Sequence, residues 1–100
     1  MKESKLVAKI MKFLRTHEGD CYKVHGNMYQ RAGEPDLTGS IKWDGHWLHF
    51  KLEVKTKGNK PTPLQLHRLA SWAKYDKVVG VVHSVAEVIE LFDEAVLSRT

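Results

Sequence analysis

Asp36-Leu37-Thr38-Gly39-Ser40-Ile41-Lys42-Trp43-Asp44-Gly45-His46-Trp47-Leu48-His49-Phe50-Lys51-Leu52-Glu53-Val54-Lys55 reads as a β-hairpin. Two extended runs flank Asp44-Gly45, a favoured two-residue turn. The second run alternates without a break: Leu48, Phe50, Leu52 and Val54 fall on one face, and Trp47, His49, Lys51, Glu53 and Lys55 on the other. With the turn at Asp44-Gly45, Trp43 faces His46, Ile41 faces Leu48, Gly39 faces Phe50 and Leu37 faces Leu52. That side is largely apolar, as a correct register requires. On the other side Lys42 meets Trp47, Ser40 meets His49, Thr38 meets Lys51, and Asp36 meets Glu53.

The last pair sets a chemical problem. Opposed side chains have Cβ atoms about 4.5–5.5 Å apart, and like charges at that spacing destabilise a sheet. A divalent cation held by both carboxylates is the standard relief. Lys55, two residues beyond Glu53 on the same face, sets an ammonium beside the proposed ion. A bulge at the strand end would shift this pairing by one residue.

Outward from the hairpin, residues 3–16 carry Leu6, Val7, Ile10, Met11, Phe13 and Leu14 at helical spacing, and His17-Glu18-Gly19-Asp20 reads as the helix stop. Residues 21–25 read as a short strand, Gly26 to Glu34 as a loop, and Pro35 as the opening of the next strand. Thr62 is placed to cap a helix from Pro63 to about Tyr75, with proline at the first helical position. The β-branched run Val78-Val79-Gly80-Val81-Val82 predicts a strand covered on both faces. Ser84-Val85-Ala86-Glu87 predicts a capping box, opening a last helix to about Leu97. The element order predicts an α/β domain spanning residues 1–100, with a central mixed sheet flanked by helices.

A chain of 100 residues with 42% apolar and 28% charged content has room for one core. It buries roughly 60–70% of its unfolded surface. Its apolar runs are far too short for a membrane span, and its charged start is unlike a secretory signal. A lone cysteine, Cys21, excludes an intrachain disulfide and a four-cysteine zinc site, and reads as a small buried residue in a reduced, cytoplasmic compartment. His46 and His49 fall on opposite faces of a strand and do not make a zinc site. Trp43, Trp47 and Trp72 read as core or interface. The net charge of +4 points towards a polyanion.

Pro35-Asp36 followed by Glu53-Val54-Lys55 resembles the PD-(D/E)XK nuclease pattern. The flanking Gly33-Glu34-Pro35-Asp36-Leu37-Thr38-Gly39, the segment Pro61-Thr62-Pro63-Leu64-Gln65, and a first helix carrying Glu3 narrow the match. Together they resemble the stand-alone virus-type replication-repair nucleases, the VRR-NUC family, from Glu3 to about Ser84. The resemblance implies a restriction-endonuclease-like core in a small bacterial or phage-encoded protein of the host cytoplasm. Asp36 and Glu53 then match the metal-binding carboxylates, the Val54 backbone carbonyl a third ligand, and Lys55 the catalytic lysine. Gln65 matches the family's helix glutamine and Glu3 an acidic residue of the first helix. Lys74-Tyr75-Asp76-Lys77 departs from the glycine expected before the last strand.

Taken singly, Asp36 is an ordinary turn residue, Glu53 and Lys55 an ordinary solvated strand face, and Gln65 and Glu3 ordinary surface residues. Their joint placement carries the reading: a Mg²⁺- or Mn²⁺-dependent DNA endonuclease, without organic cofactor or membrane partner. Arg31, Lys51, Lys57, Lys60 and Arg68 are candidate contacts to the DNA backbone. No helix-turn-helix signature occurs, which favours recognition of DNA structure over base sequence. The resemblance implies cleavage of branched or four-way-junction (Holliday) DNA. Two coordinated cuts imply a homodimer, through the last helix (Val88, Leu91, Phe92) or the open side of the hairpin. The competing readings are a catalytically inactive DNA-binding module of the same fold, a flap-type nuclease, and a protein-interaction domain with an incidental acidic pair.

Overall fold

The apolar stripe near the start of the chain folds as a helix because its members share one face. In the computed structural model, which describes residues 1–24 and 34–98, this helix, α1, runs Glu3–Leu14 and buries Leu6, Val7, Ile10 and Leu14. It ends before residue 16. There the Thr16 hydroxyl donates to the Phe13 carbonyl (2.7 Å), and Arg15 Nε reaches across to the Cys21 carbonyl (2.9 Å). Gly19 and Asp20 belong to strand β1 (Gly19–Lys23), not to the helix stop.

The hairpin forms from β2 (Leu37–Trp43) and β3 (His46–Val54). Helix α2 (Pro63–Trp72) then connects β3 to β4 (Val78–Val82), and α3 (Val85–Leu97) follows. The helix after Thr62 is therefore shorter than its sequence predicts. The sheet order is β1-β2-β3-β4. β1, β2 and β3 pair antiparallel, and β4 pairs parallel to β3, so the protein is α/β with a mixed sheet.

The hairpin register is the expected one, from Trp43↔His46 to Leu37↔Leu52. Asp44 (φ 49°) and Gly45 (φ 80°) are both left-handed, as a twist-matched two-residue turn demands. Gly39 (φ 156°) lies so close to β1 that a Cβ would collide with the Asp20 carbonyl oxygen.

One face of the sheet carries the core. Leu37, Ile41, Leu48, Phe50, Leu52, Val54, Val78 and Val82 pack there against Ile10 and Leu14 of α1 and Val88 and Phe92 of α3. Trp43 closes one end of this core. Its ring stacks on His17 (4.8 Å) and meets Phe92 (5.0 Å), while Nε1 donates to Asp93 (2.8 Å). Cys21 is fully buried, which pushes its thiol up to about 11 and leaves it inert.

The other face is only partly covered. Leu69 is the one buried residue of α2, and Tyr22 and Trp47 are about half exposed. β4 lies at an edge of the sheet, between α3 on one face and α2 on the other, with Val78 and Val82 buried and Val79–Val81 partly buried. One expectation changes. Val88 and Phe92 are fully buried in the core and Leu91 packs against it, so Val88 and Phe92 are not available to a partner. No helix among the described residues is long and apolar enough to cross a membrane.

Candidate active site

The acidic pair lies where β2 begins and β3 ends. Asp36 is held by three main-chain contacts. Its N–H donates to the Leu52 carbonyl (3.0 Å), its carbonyl accepts from Val24 N–H (2.9 Å), and its carboxylate Oδ2 accepts from Val54 N–H (2.7 Å). The first bond departs from the register by one residue. The regular ladder therefore stops at Leu37↔Leu52, one pair short of the direct Asp36–Glu53 opposition that the hairpin predicts. The carboxylate takes the place of a ladder acceptor, and this points it at the end of β3.

Glu53 is 2% exposed and is the one buried charged residue among those described. Burial pushes its carboxyl up to about 8, and the hydrogen bond and charge of Asp36 push the same way. The Lys55 ammonium, 3.9 Å from Glu53 Oε1, pulls in the opposite direction. Glu3 adds a further upward push, so the first turn of α1 brings a third carboxylate within electrostatic reach. Lys55 itself is fastened to the neighbouring strand by its N–H, which donates to the Val82 carbonyl (3.1 Å).

Two carboxylates too close to ionise together, beside an ammonium, fit a hard divalent cation by charge and donor type. No group of three or more His, Cys, Asp or Glu side chains among the described residues is arranged to hold a metal ion. An ion here would complete its shell with water and main-chain oxygen, for which the Val54 carbonyl is the nearest candidate in sequence.

Gln65 has a second occupation. Its Oε1 accepts from Thr62 N–H (2.8 Å) while its own N–H donates to Thr62 Oγ1 (3.1 Å), a complete capping box for α2. The Thr-x-x-Gln spacing carried that signal. Only the Gln65 amide donors remain for a substrate. At α3 the expected box is half formed, because Ser84 Oγ accepts from Glu87 N–H (3.1 Å), but Glu87 does not return to Ser84. Its Oε1 meets the His83 N–H (3.2 Å) and His83 Nδ1 (3.0 Å), which holds the Glu87 carboxyl below its usual range.

The candidate DNA contacts do not act as one set. Lys51 is paired with Asp76 (3.4 Å), inside the segment that departs from the glycine expected there. Lys57 and Lys60 are exposed, Arg68 is half-buried, and Arg31 lies outside the described residues.

No sequence family matches the chain, and no curated protein does. Solved structures do. A chain described as a VRR_NUC domain is 26% identical, with a TM-score of 0.65 over 91% of this chain and 94% of that one. A VRR_NUC domain protein is 19% identical, with a TM-score of 0.67 over 95% of this chain and 88% of that one.

Proposed function

From a chain with the VRR-NUC fold, we propose a metal-dependent, structure-selective DNA endonuclease that cuts four-way junctions. The observation that carries this reading is the buried Glu53 beside Asp36, with Lys55 at 3.9 Å. Such an arrangement is costly for a fold and useful for phosphodiester hydrolysis.

Asp36, Glu53 and the Val54 carbonyl would hold Mg²⁺ or Mn²⁺. The bound ion would lower the pKa of a coordinated water and offset charge on the phosphate oxygens. Asp36 is pre-positioned by its main-chain bonds, so little ordering is left to pay for on binding. Lys55 orients the attacking water and stabilises the hydroxide with a compact ammonium. The Gln65 amide donates to the water or to a phosphate oxygen, while its carbonyl stays on the helix cap. Glu3 adds negative charge that strengthens cation binding.

The test is cleavage of labelled duplex, flap, splayed and four-way-junction DNA in Mg²⁺, Mn²⁺ or EDTA. Junction cutting that needs the metal is expected. Cutting that persists in EDTA, or none on any substrate with metal, overturns the reading, and preference for flaps corrects the substrate. Lys55→Ala should slow single-turnover cleavage by roughly 10²–10⁴-fold, the range of a positioned proton-handling group. Lys55→Arg should not rescue it, because a planar guanidinium does not replace an ammonium beside a metal-bound water. An arginine variant cutting at the wild-type rate would reduce Lys55 to a phosphate contact.

A further inference from the structure

A depression of about 420 Å³ opens between the start of α1, the segment after β3 and the start of α3. We infer that it seats one nucleotide of the DNA strand beside the bond that is cut, an assignment that rests on the nuclease reading above.

Its position ties it to the acidic pair. Lys57 lies two residues beyond Lys55, and His83 follows Val82, whose carbonyl takes the Lys55 N–H. Leu6 and Lys9 continue along α1 from Glu3, the carboxylate felt at Glu53. The depression and the carboxylates therefore lie at the same end of the sheet, within reach of one DNA strand.

Its lining has two characters. Leu6 and Val85 supply apolar lining, and Lys9 of α1 and Lys57 of the segment after β3 supply ammonium groups. A free anion would have no use for the apolar side chains, and an apolar ligand none for the lysines. A nucleotide uses both, with its phosphate at the lysines and its sugar and base over Leu6 and Val85.

His83 adds a directional contact. Glu87 Oε1 holds Nδ1 at 3.0 Å, and Nε2 has no partner among the described residues. With Nδ1–H donated to Glu87, the neutral ring offers Nε2 as an acceptor for a base N–H. The volume lies at the small end of ligand pockets, roughly 300–1,000 Å³, which suits a single nucleotide.

The test is equilibrium binding of a labelled four-way junction in EDTA, where nothing is cut. Lys9→Glu and Lys57→Glu should each weaken binding roughly three- to tenfold at low salt. Each should flatten the plot of log K against log salt by about one unit. Lys74→Glu makes the same charge change at an exposed position outside the depression and should cost less than about twofold. All three are exposed positions, so melting temperatures should stay level and report any misfolding.

Pocket variants that bind no more weakly than Lys74→Glu overturn the assignment, as does wild-type protein that binds no junction at low salt. Cleavage in Mg²⁺ is read separately. A protein whose binding depends on Lys9 and Lys57 but which never cuts keeps the pocket and loses the nuclease. One that cuts normally while the pocket variants bind like Lys74→Glu does the reverse.

Discussion

Glu53 titrates in the folded protein near pH 8, against an ordinary value of 4.5, because it is buried beside Asp36. Between those values the folded state holds a proton that the unfolded chain has released. Metal-free stability is therefore greatest below about pH 4.5 as far as this group is concerned, and falls as pH rises towards 8. In EDTA the wild-type melting temperature should decline over that window, and Glu53→Gln should flatten the decline. A wild-type profile as flat as the variant's would mean that Glu53 is not strained. The neighbouring carboxylate gives a complementary test. Asp36→Asn removes one charge yet keeps an oxygen able to accept the Val54 N–H. Above about pH 8, where Glu53 ionises, Asp36→Asn relieves like-charge repulsion of about 0.5–1 kcal/mol, and there the metal-free variant should melt at or above the wild-type temperature. Mg²⁺ should raise the wild-type melting temperature by mass action, and that rise should shrink or vanish in the variant. A less stable variant with an undiminished Mg²⁺ response would show that the two carboxylates neither repel nor share an ion.

At the scale of the element, α2 illustrates how one side chain serves two purposes. Gln65 completes the Thr62 capping box, a contribution of about 1 kcal/mol for such caps. Replacing it with alanine would confuse lost helix stability with lost chemistry. Gln65→Glu separates them, because a carboxylate still accepts from the Thr62 N–H but offers no amide donor. The variant should unfold in urea at an unchanged midpoint while cleaving DNA more slowly. Unchanged cleavage would leave Gln65 as a cap alone. The hairpin shows the same economy, since Asp36 ends the β2–β3 ladder and its side chain replaces a main-chain acceptor there. This is why an aspartate at the strand end is both a structural stop and a candidate ligand.

For the whole molecule, the net charge of +4 is set against the carboxyl cluster of Glu3, Asp36 and Glu53, so the proposed DNA substrate would be attracted by the excess of basic residues and meet the carboxyls locally. Cutting a four-way junction twice calls for two such sites related as the junction is. The core claims Val88 and Phe92, so the proposed homodimer would use the open face of the hairpin, where Trp47 is 49% exposed. Light scattering should give about twice 11.5 kDa, and Trp47→Ser should shift the population towards monomer. A wild-type monomer that still resolves junctions would count against the dimer.

Local periodicity carried the hairpin. A strict two-residue alternation on β3 and a left-handed Asp44-Gly45 turn leave one register that buries the apolar side, so the pairing is legible in the sequence. The helical stripe of α1 and the proline-led start of α2 were legible for the same reason, since each depends on residues within one or two turns. The acidic pair, its lysine and their shared strand end could likewise be located from residue types and spacing. Other properties depended on contacts between residues distant in the chain. Tertiary structure decided that the ladder stops short of Asp36, that Glu53 is buried and resists ionisation, and that α1 brings Glu3 within reach. It also decided that Asp76 takes Lys51 and that α3 buries Val88 and Phe92 in the core. Acid strength and pairing follow from burial and charge geometry in three dimensions, and a one-dimensional pattern of residue types does not encode which distant group arrives beside which.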